Sequence, residues 1–348
     1  MPGPVASHFE RQASACEDLG SPFAAALCRL LAERLDDGTA FGRRILDWPG
    51  DPAADALALR ACGALHALAR SGRGPALARV YPPAPFARDA VWAAIAGARV
   101  RHDAFLAGWL DSPPQTNEVA RSSFVLGAAL TVAQRTGLPL TVFEIGASAG
   151  LNLAFEQYRY ELGDGRAWGD AAAPLTIQSD WRGARPALDT PLRIVGRVGC
   201  DRNPLDPSSE ADAARLLSYV WPDQSSRMQR LEAALRLAAA SGRRVEQADA
   251  AEWVERQLAS PATPGVCRFF FHTIVWQYLP DAVKLRIEAA LAVAGAAATP
   301  TTPLAQFGFE IDGGAPGGGM TLTLWPGGEA MPLGRADFHG RWVEWGRA

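Results

Sequence analysis

The chain has 348 residues, of which 48% are hydrophobic and 20% are charged. This composition excludes a largely disordered protein and is typical of one large domain or two medium domains with buried cores. The 34 lysines and arginines, against 37 aspartates and glutamates, leave a net charge of -3. Such a balance provides no basic field for nucleic acid, so we expect a small-molecule partner instead.

The remaining composition favours a reducing compartment and no metal. The five cysteines are odd in number and form no Cys-x-x-Cys pair, which argues against a disulfide framework and against a cysteine-ligated zinc. The five histidines never approach metal-ligand spacing, so we expect no bound metal. The N-terminus lacks an export signal, and no uncharged apolar run nears the roughly 20 residues of a membrane helix. We therefore expect a cytoplasmic protein without membrane contact.

The first 135 residues predict helices. Apolar residues recur there at spacings of three and four, proline and glycine clusters separate the periodic segments, and no convincing strand is found. The periodic segments are Phe23 to Leu35, Ala53 to Ala69 and Asp89 to Leu110. We expect residues 1–115 to form a helical N-terminal domain that caps an active site.

One more helix is predicted before the first strand. Thr116 or Asn117 can cap its start, and Gly137 and Pro139 end it after about Arg135.

Strand-like segments begin at residue 140 and alternate with helices, as in a parallel sheet. Seven strands are predicted, at Leu140 to Ile145, Leu192 to Cys200, Arg244 to Gln247, Val266 to Phe271, Pro303 to Glu310, Met320 to Trp325 and Arg341 to Trp345. Only glycine- and proline-rich turns separate the last strands, which leaves no room for a crossover helix and predicts antiparallel pairing there.

The segment after the first strand is predicted to carry two additional structures. Leu151 to Tyr158 predicts a helix. Tyr158 to Leu162 and Leu175 to Gln178 then alternate like strands around a turn region. We interpret them as an inserted β-hairpin, within about residues 158–190, over one edge of the site.

The most informative segment runs from Leu140 to Gly150, where a hydrophobic strand enters a turn of small residues and then a helix. The turn has the form Gly-x-Ser-x-Gly, which can expose Ser148 as a nucleophile. Asp249 and His272 follow in the Ser, Asp, His order of α/β hydrolases. In that fold, however, several strands precede the serine, whereas here the preceding residues are predicted to be helical. We therefore favour a cofactor-binding function over a serine hydrolase.

The same turn can hold a cofactor, because small residues let a ligand approach the backbone at a strand end. A dinucleotide would require a second glycine at position 148, where Ser148 stands, and a third beyond it. The acid-x-Gly-x-x-x-Gly pattern of Glu144 to Gly150 resembles motif I of class I S-adenosylmethionine-dependent methyltransferases. The resemblance implies S-adenosylmethionine as cofactor and a Rossmann-like, seven-stranded α/β domain over residues 116–348, acting on a small-molecule acceptor.

The resemblance also implies which residues bind the cofactor. Glu144 would lie near its amino-acid end, Asp201 would bind the ribose and Asp249 would face the adenine. Asp201 follows Glu144 by 57 residues, where about 20 are usual, and the inserted hairpin accounts for the excess. The implied cofactor-binding residues are Glu144, Gly146, Ala147, Ser148, Gly150, Asn152, Asp201 and Asp249.

Other candidates would face the acceptor. His272, at the end of the fourth strand, can deprotonate the acceptor or merely shape the pocket through a hydrogen bond. Tyr278 is the second catalytic candidate, and Tyr278 and Trp276 can stack on a substrate or pack in the core. A polar lid over the cofactor, or an N-cap with exposed first-turn charges, can be formed by Asn117, Glu118 and Arg121. These three residues and Trp276 are the substrate-binding candidates.

Over nearly its whole length the chain also resembles a bacterial family of unknown function. The resemblance is carried by five blocks, Gln115 to Ser122, Glu144 to Leu153, Gly199 to Asp206, His272 to Pro280 and His339 to Trp345. It implies no reaction. Three functions remain open, namely a methyltransferase, which we favour, a non-catalytic ligand-binding or interaction protein on the same fold, and a serine hydrolase that uses Ser148.

Overall fold

The computed structural model describes residues 3–346. The chain divides into two compact units, one formed by residues up to 116 with residues 210–229 and the other by residues 117–209 with the chain from 230 onward. The described helices are α1 Pro4–Asp18, α2 Pro22–Arg34, α3 Ala40–Leu46, α4 Leu57–Arg70, α5 Pro75–Ala78, α6 Arg88–Arg101, α7 Asp103–Trp109, α8 Ser122–Thr136, α9 Glu210–Ser218, α10 Ser225–Ser241, α11 Ala250–Ala259 and α12 Asp281–Ala296.

The first unit is helical in its described residues, as the apolar periodicity predicted. The predicted helix from Asp89 to Leu110 is divided into α6 and α7 at His102, whose φ of -128° is not helical. Helix α1 was not predicted, since its buried face consists only of His8, Phe9, Ala13 and Cys16. So few large apolar side chains give no clear periodic pattern.

Residues 210–229 are fastened to the helices of the first unit by polar contacts. The carboxylate of Asp223 accepts a hydrogen bond from the Phe23 amide at 2.8 Å and one from the Ser21 hydroxyl. His66 of α4 places its Nδ1 3.1 Å from the Ser218 carbonyl. These contacts satisfy polar groups at the start of α2 and inside α4 that would otherwise be buried without a partner.

The second unit is built on a mixed, mostly parallel sheet. The described strands are β1 Leu140–Ile145, β2 Arg159–Glu161, β3 Ala167–Trp168, β4 Thr176–Gln178, β5 Asp180–Gly183, β6 Ile194–Asp201, β7 Glu246–Gln247, β8 Cys267–Thr273, β9 Leu304–Glu310, β10 Gly318–Trp325, β11 Ala330–Ala336 and β12 Trp342–Trp345. Nine of them form one sheet in the order β5-β12-β11-β10-β9-β8-β1-β6-β7. The α/β class is confirmed.

Strands β7, β6, β1, β8 and β9 are parallel, and β9 to β12 form an antiparallel meander. All seven predicted strands are present, but the prediction of a seven-stranded sheet was wrong because β5 and β11 also belong to it. Strand β11 contains Pro332 and Gly334 next to a register shift against β10. A bulge tolerates both residues, while their presence conceals the strand in the sequence.

The predicted inserted hairpin was also wrong. Strands β2 and β4 pair in parallel, and β3 lies antiparallel to β2 on its other side, so the insertion is a three-stranded sheet. Strand β5 continues from it and pairs with β12 at the edge of the large sheet. An alternating pattern identifies a strand but not its partner, which depends on contacts distant in sequence.

Both faces of the large sheet are covered. Phe143 and Phe270 stack with centroids 4.4 Å apart on the face that packs against α11 and α12. On the other face Phe124 of α8 contacts Phe309, with centroids 4.7 Å apart. Among residues 3–346, no helix is both long enough and apolar enough to cross a bilayer.

Candidate functional site

Strand β1 is the point at which the chain order of the sheet reverses. Strands β6 and β7 lie on one side of it, and β8 and β9 lie on the other. In open α/β sheets, ligands bind in the crevice beyond the carboxyl ends of the strands at such a switch point. The turn of small residues follows β1 directly and therefore occupies this position.

The turn is held against β6 by backbone hydrogen bonds. The amides of Gly146 and Ala147 both donate to the Cys200 carbonyl at 2.9 Å, and Gly150 donates to Ala147 at 2.7 Å. Gly146 has a φ of 72°, and a Cβ there would overlap the side chain of Val275. Ser148 is a non-glycine residue with a positive φ of 54°, which costs of order 1–2 kcal/mol.

Asp201 lies beside this turn, at the end of β6. Its Oδ2 accepts a hydrogen bond from the Ser148 amide at 2.8 Å, and its Oδ1 accepts one from the Asn203 amide at 2.8 Å. The carboxylate thus holds the strained turn in place. Each of its oxygens has a second lone pair that these bonds do not use.

Glu144 and Asn152 form a buried pair beneath the turn. Glu144 is 2% exposed, and burial raises the pKa of its carboxyl group well above the ordinary value. The charge of Asp201 adds to this increase, and a hydrogen bond from Asn152 opposes it. Within residues 3–346, neither Oε2 of Glu144 nor Oδ1 of Asn152 has a hydrogen-bond partner. A buried carboxyl group and a buried amide oxygen without partners favour a ligand that forms hydrogen bonds with both, and a cationic donor would also favour the ionised carboxylate.

The segment after the turn differs from its predicted form. Leu151 to Tyr158 was predicted as a helix, but the structure has a 3-10 helix at Asn152–Gln157 with non-helical dihedrals at Ala154. Asn117 does not cap α8. Its Oδ1 instead accepts a hydrogen bond from the Leu151 amide at 3.2 Å, so this N–H is already satisfied within the protein.

The other predicted lid residues are buried rather than exposed on a first turn. Glu118 accepts a hydrogen bond from the Ala120 amide at 3.2 Å and lies 3.5 Å from the Arg230 guanidinium. Arg121 donates to the Phe338 carbonyl at 2.9 Å and to the Thr273 carbonyl at 3.3 Å. Arg121 therefore connects the end of β8 to the loop before β12.

Asp249 is exposed and caps α11. Its Oδ1 accepts hydrogen bonds from the amides of Ala251 at 3.0 Å and Glu252 at 3.2 Å. The serine-hydrolase alternative would require Asp249 to pair with His272, but the carboxylate partner of His272 is a different residue. The adenine contact of Asp249 stays a prediction.

The partner of His272 is Glu310, at the end of β9. Nδ1 of His272 lies 2.7 Å from Oε1 of Glu310, and the ring stacks on Trp276 with centroids 4.6 Å apart and an interplanar angle of 21°. Tyr278, in contrast, is 68% exposed. Sequence reasoning missed Glu310, although the signal was an acid at the end of a fifth strand, as at Glu144 and Asp201.

The loop after β8 carries backbone strain. Ile274 has a positive φ of 53°, which is rare for a β-branched residue. Its amide donates to the Phe309 carbonyl at 2.8 Å. Ile274 and Ser148 thus follow neighbouring parallel strands at the same edge of the sheet, and strained residues often cluster at ligand sites. Among residues 3–346, no group of three or more His, Cys, Asp or Glu side chains is arranged to hold a metal ion.

Comparison with known families gives one result. The model of the family described as uncharacterized protein conserved in bacteria (DUF2332) matches residues 6–345. The chain therefore belongs to this family, which confirms the resemblance found in the sequence. No curated protein and no solved structure match the chain.

Proposed function

For this member of the DUF2332 family, we propose that the turn after β1 binds S-adenosylmethionine and that the protein methylates a small-molecule acceptor. The observation that carries this function is the convergence of two acids, Glu144 and Asp201, at the ends of adjacent parallel strands around a turn of small residues. The strand order β7-β6-β1-β8-β9 supports it, since it resembles the parallel core of a Rossmann-like sheet.

The residues of the crevice suit the parts of this cofactor. The unpaired oxygens of Glu144 and Asn152 match the hydrogen-bond donors of its ammonium group. The free lone pairs of Asp201 match two ribose hydroxyls. When bound, the cofactor supplies a methyl group on a positively charged sulfur.

The chain's own contribution would be positioning. Asp201 holds the Ser148 amide, and the Gly146 turn fits against Val275, so the crevice is shaped before a ligand arrives. Such pre-organisation aligns an acceptor with the transferred group and lowers the entropic part of the barrier.

Calorimetric titration with S-adenosylmethionine and S-adenosylhomocysteine tests this function, and we expect both to bind. Burial raises the pKa of Glu144, so a ligand ammonium placed beside it should displace its proton. The measured heat should then change between two buffers of different ionisation enthalpy for the wild type, but not for Glu144→Gln. Glu329→Gln, at an exposed position, serves as the matched control. The absence of heat with both ligands, for a folded protein, would overturn the proposal.

A serine hydrolase is the second candidate, and one observation favours it. Ser148 occupies the centre of a Gly-x-Ser-x-Gly turn with a positive φ of 54°, as a serine on a strained nucleophile elbow does. Labelling by a fluorophosphonate probe that is lost in Ser148→Ala would establish it. Cofactor binding without methyl transfer to any acceptor would instead indicate the non-catalytic ligand-binding alternative.

A further inference from the structure

His272 and Glu310 meet across two neighbouring strands. His272 of β8 stands beside Gly308 of β9 in the parallel register, and Glu310 follows two residues later. A Cβ at Gly308 would lie 2.9 Å from Cε1 and 3.1 Å from Nε2 of His272. The glycine therefore provides the space that the imidazole ring occupies.

The hydrogen bonds determine which ring nitrogen carries the proton. Oε1 of Glu310, which lies 2.7 Å from Nδ1 of His272, also accepts the Val275 amide at 3.1 Å. Because this oxygen acts as an acceptor, Nδ1 is the donor and Nε2 of the neutral ring keeps its lone pair. Within residues 3–346, no protein group makes a hydrogen bond to Nε2.

Two neighbouring groups, a carboxylate and an aromatic ring, interact favourably with the cationic ring that proton transfer to His272 would form. A carboxylate at Nδ1 strengthens its hydrogen bond when the ring becomes cationic. The face of Trp276, 4.6 Å away and nearly parallel, attracts a cation and fixes the plane of the ring. His272 thus has an oriented, unoccupied base nitrogen and two groups that stabilise the product of proton transfer.

We propose that Glu310 is the positioning residue that makes His272 a general base through Nε2, and, resting on the proposed methyl transfer, that the methylated atom of the acceptor carries a removable proton. As the acceptor's lone pair forms its bond to the methyl carbon, the carbon–sulfur bond breaks and its electron pair stays on sulfur. The acceptor's proton passes to Nε2 of His272 and then to water. Hydroxyl, amine, thiol and acidic C–H groups qualify, whereas thioethers and tertiary amines do not.

Nitrogen-15 NMR of the full chain tests the positioning half without any ligand. In spectra recorded at alkaline pH, the His272 ring signals are assigned by their loss in His272→Gln. We expect Nδ1 to be protonated and Nε2 bare in the wild type and in Glu310→Gln, whose amide oxygen can still accept both donors. Glu310→Ala should shift the ring toward the other tautomer, and Glu329→Ala should leave the spectrum unchanged.

A protonated Nε2 in the wild type would overturn the inference by itself, even if Glu310→Ala failed to fold. An unchanged tautomer in a folded Glu310→Ala would do the same. Cofactor binding is measured separately by calorimetry. A wild type with the expected tautomer but no affinity for S-adenosylmethionine would therefore overturn the proposed function and leave the role of Glu310 intact.

The substrate half is tested with methyl-labelled S-adenosylmethionine and a bacterial metabolite extract. We expect the labelled product to be an ether, thioether, amine or C-methyl compound. Its formation should fall about 100- to 10,000-fold in His272→Gln while cofactor affinity stays unchanged. A sulfonium or quaternary ammonium product, or no product from a cofactor-binding protein, would overturn the assignment of His272 as the base.

Discussion

At the scale of single residues, the fold strongly changes the chemistry of Glu144. Its carboxyl group lies at the end of the central strand, away from water, with one oxygen unpaired. Burying such a group lowers the free energy of unfolding, and the effect is larger when the group is ionised. A ligand that binds this oxygen would provide the missing partner.

This effect of burial predicts a pH dependence of stability. Burial raises the pKa of Glu144 above its ordinary value of 4.5, so above that pH the folded chain keeps a proton that the unfolded chain has lost. The contribution of Glu144 to the free energy of unfolding therefore falls as pH rises toward the native pKa, by up to about 1.4 kcal/mol per pH unit. Urea denaturation should show Glu144→Gln gaining stability relative to wild type as pH rises. Parallel pH profiles for the two proteins would contradict this.

Glu310 shows why single acids in the site were hard to assign from sequence. Glu144 and Asp201 were predicted because a known motif places acids after the first two strands. Asp249, in the third such position, proved to cap α11, and Glu310 at the fifth strand proved to be the partner of His272. A carboxylate looks the same in a sequence whether it caps a helix or orients an imidazole, since only the three-dimensional neighbours differ.

At the scale of elements, the turn after β1 depends on two glycine properties that can be separated. Gly146 and the α8 C-cap Gly137 both have positive φ, at 72° and 67°. A Cβ at Gly137 would meet nothing within 4 Å, whereas one at Gly146 would overlap Val275.

The two glycines therefore form a matched pair. Gly137→Ala should lower the free energy of unfolding by roughly 1–2 kcal/mol for the left-handed conformation alone. Gly146→Ala should cost a further 1–3 kcal/mol or so for overpacking and should also weaken S-adenosylmethionine binding. Chemical denaturation and calorimetry measure the two effects. Equal losses of stability in the two variants would show that the turn has room beside Val275.

The elements themselves were predictable to different degrees. Strands such as β1 and β8 are buried hydrophobic runs bounded by turn residues, so local pattern was enough to find them. Strand β11 was missed because Pro332 and Gly334 interrupt it at a bulge. The pairing of β2 with β4 and of β5 with β12 could not be inferred, because the local alternation of apolar residues does not indicate which strand pairs with which.

At the scale of the whole molecule, one buried group in each unit makes a pH-dependent contribution to stability, and the two contributions have opposite signs. In the first unit, burial lowers the pKa of His66 from 6.5 to about 4. Over that range the unfolded chain binds a proton that the folded chain does not, so the contribution of His66 to stability is present above pH 6.5 and is lost as pH falls toward 4. The contribution of Glu144 in the second unit changes with the opposite sign.

His66→Gln tests this balance. The stability of the wild type relative to His66→Gln should be greater at about pH 7 than at about pH 5, because only the wild type has an imidazole at position 66 to protonate. Chemical denaturation of both proteins at the two pH values gives this difference. A difference that stayed constant, or grew toward low pH, would contradict the assignment.

The proposed function requires the crevice at the ends of β1 and β6 to hold a nucleoside cofactor. A crystal structure determined with S-adenosylhomocysteine would show whether it does. We expect electron density beside residues 144–150, with the ammonium group near Glu144 and Asn152 and the ribose at Asp201. Density for the ligand at any other place would contradict this function. An empty crevice in crystals grown with S-adenosylhomocysteine at a concentration that saturates cofactor-binding proteins would contradict it as well.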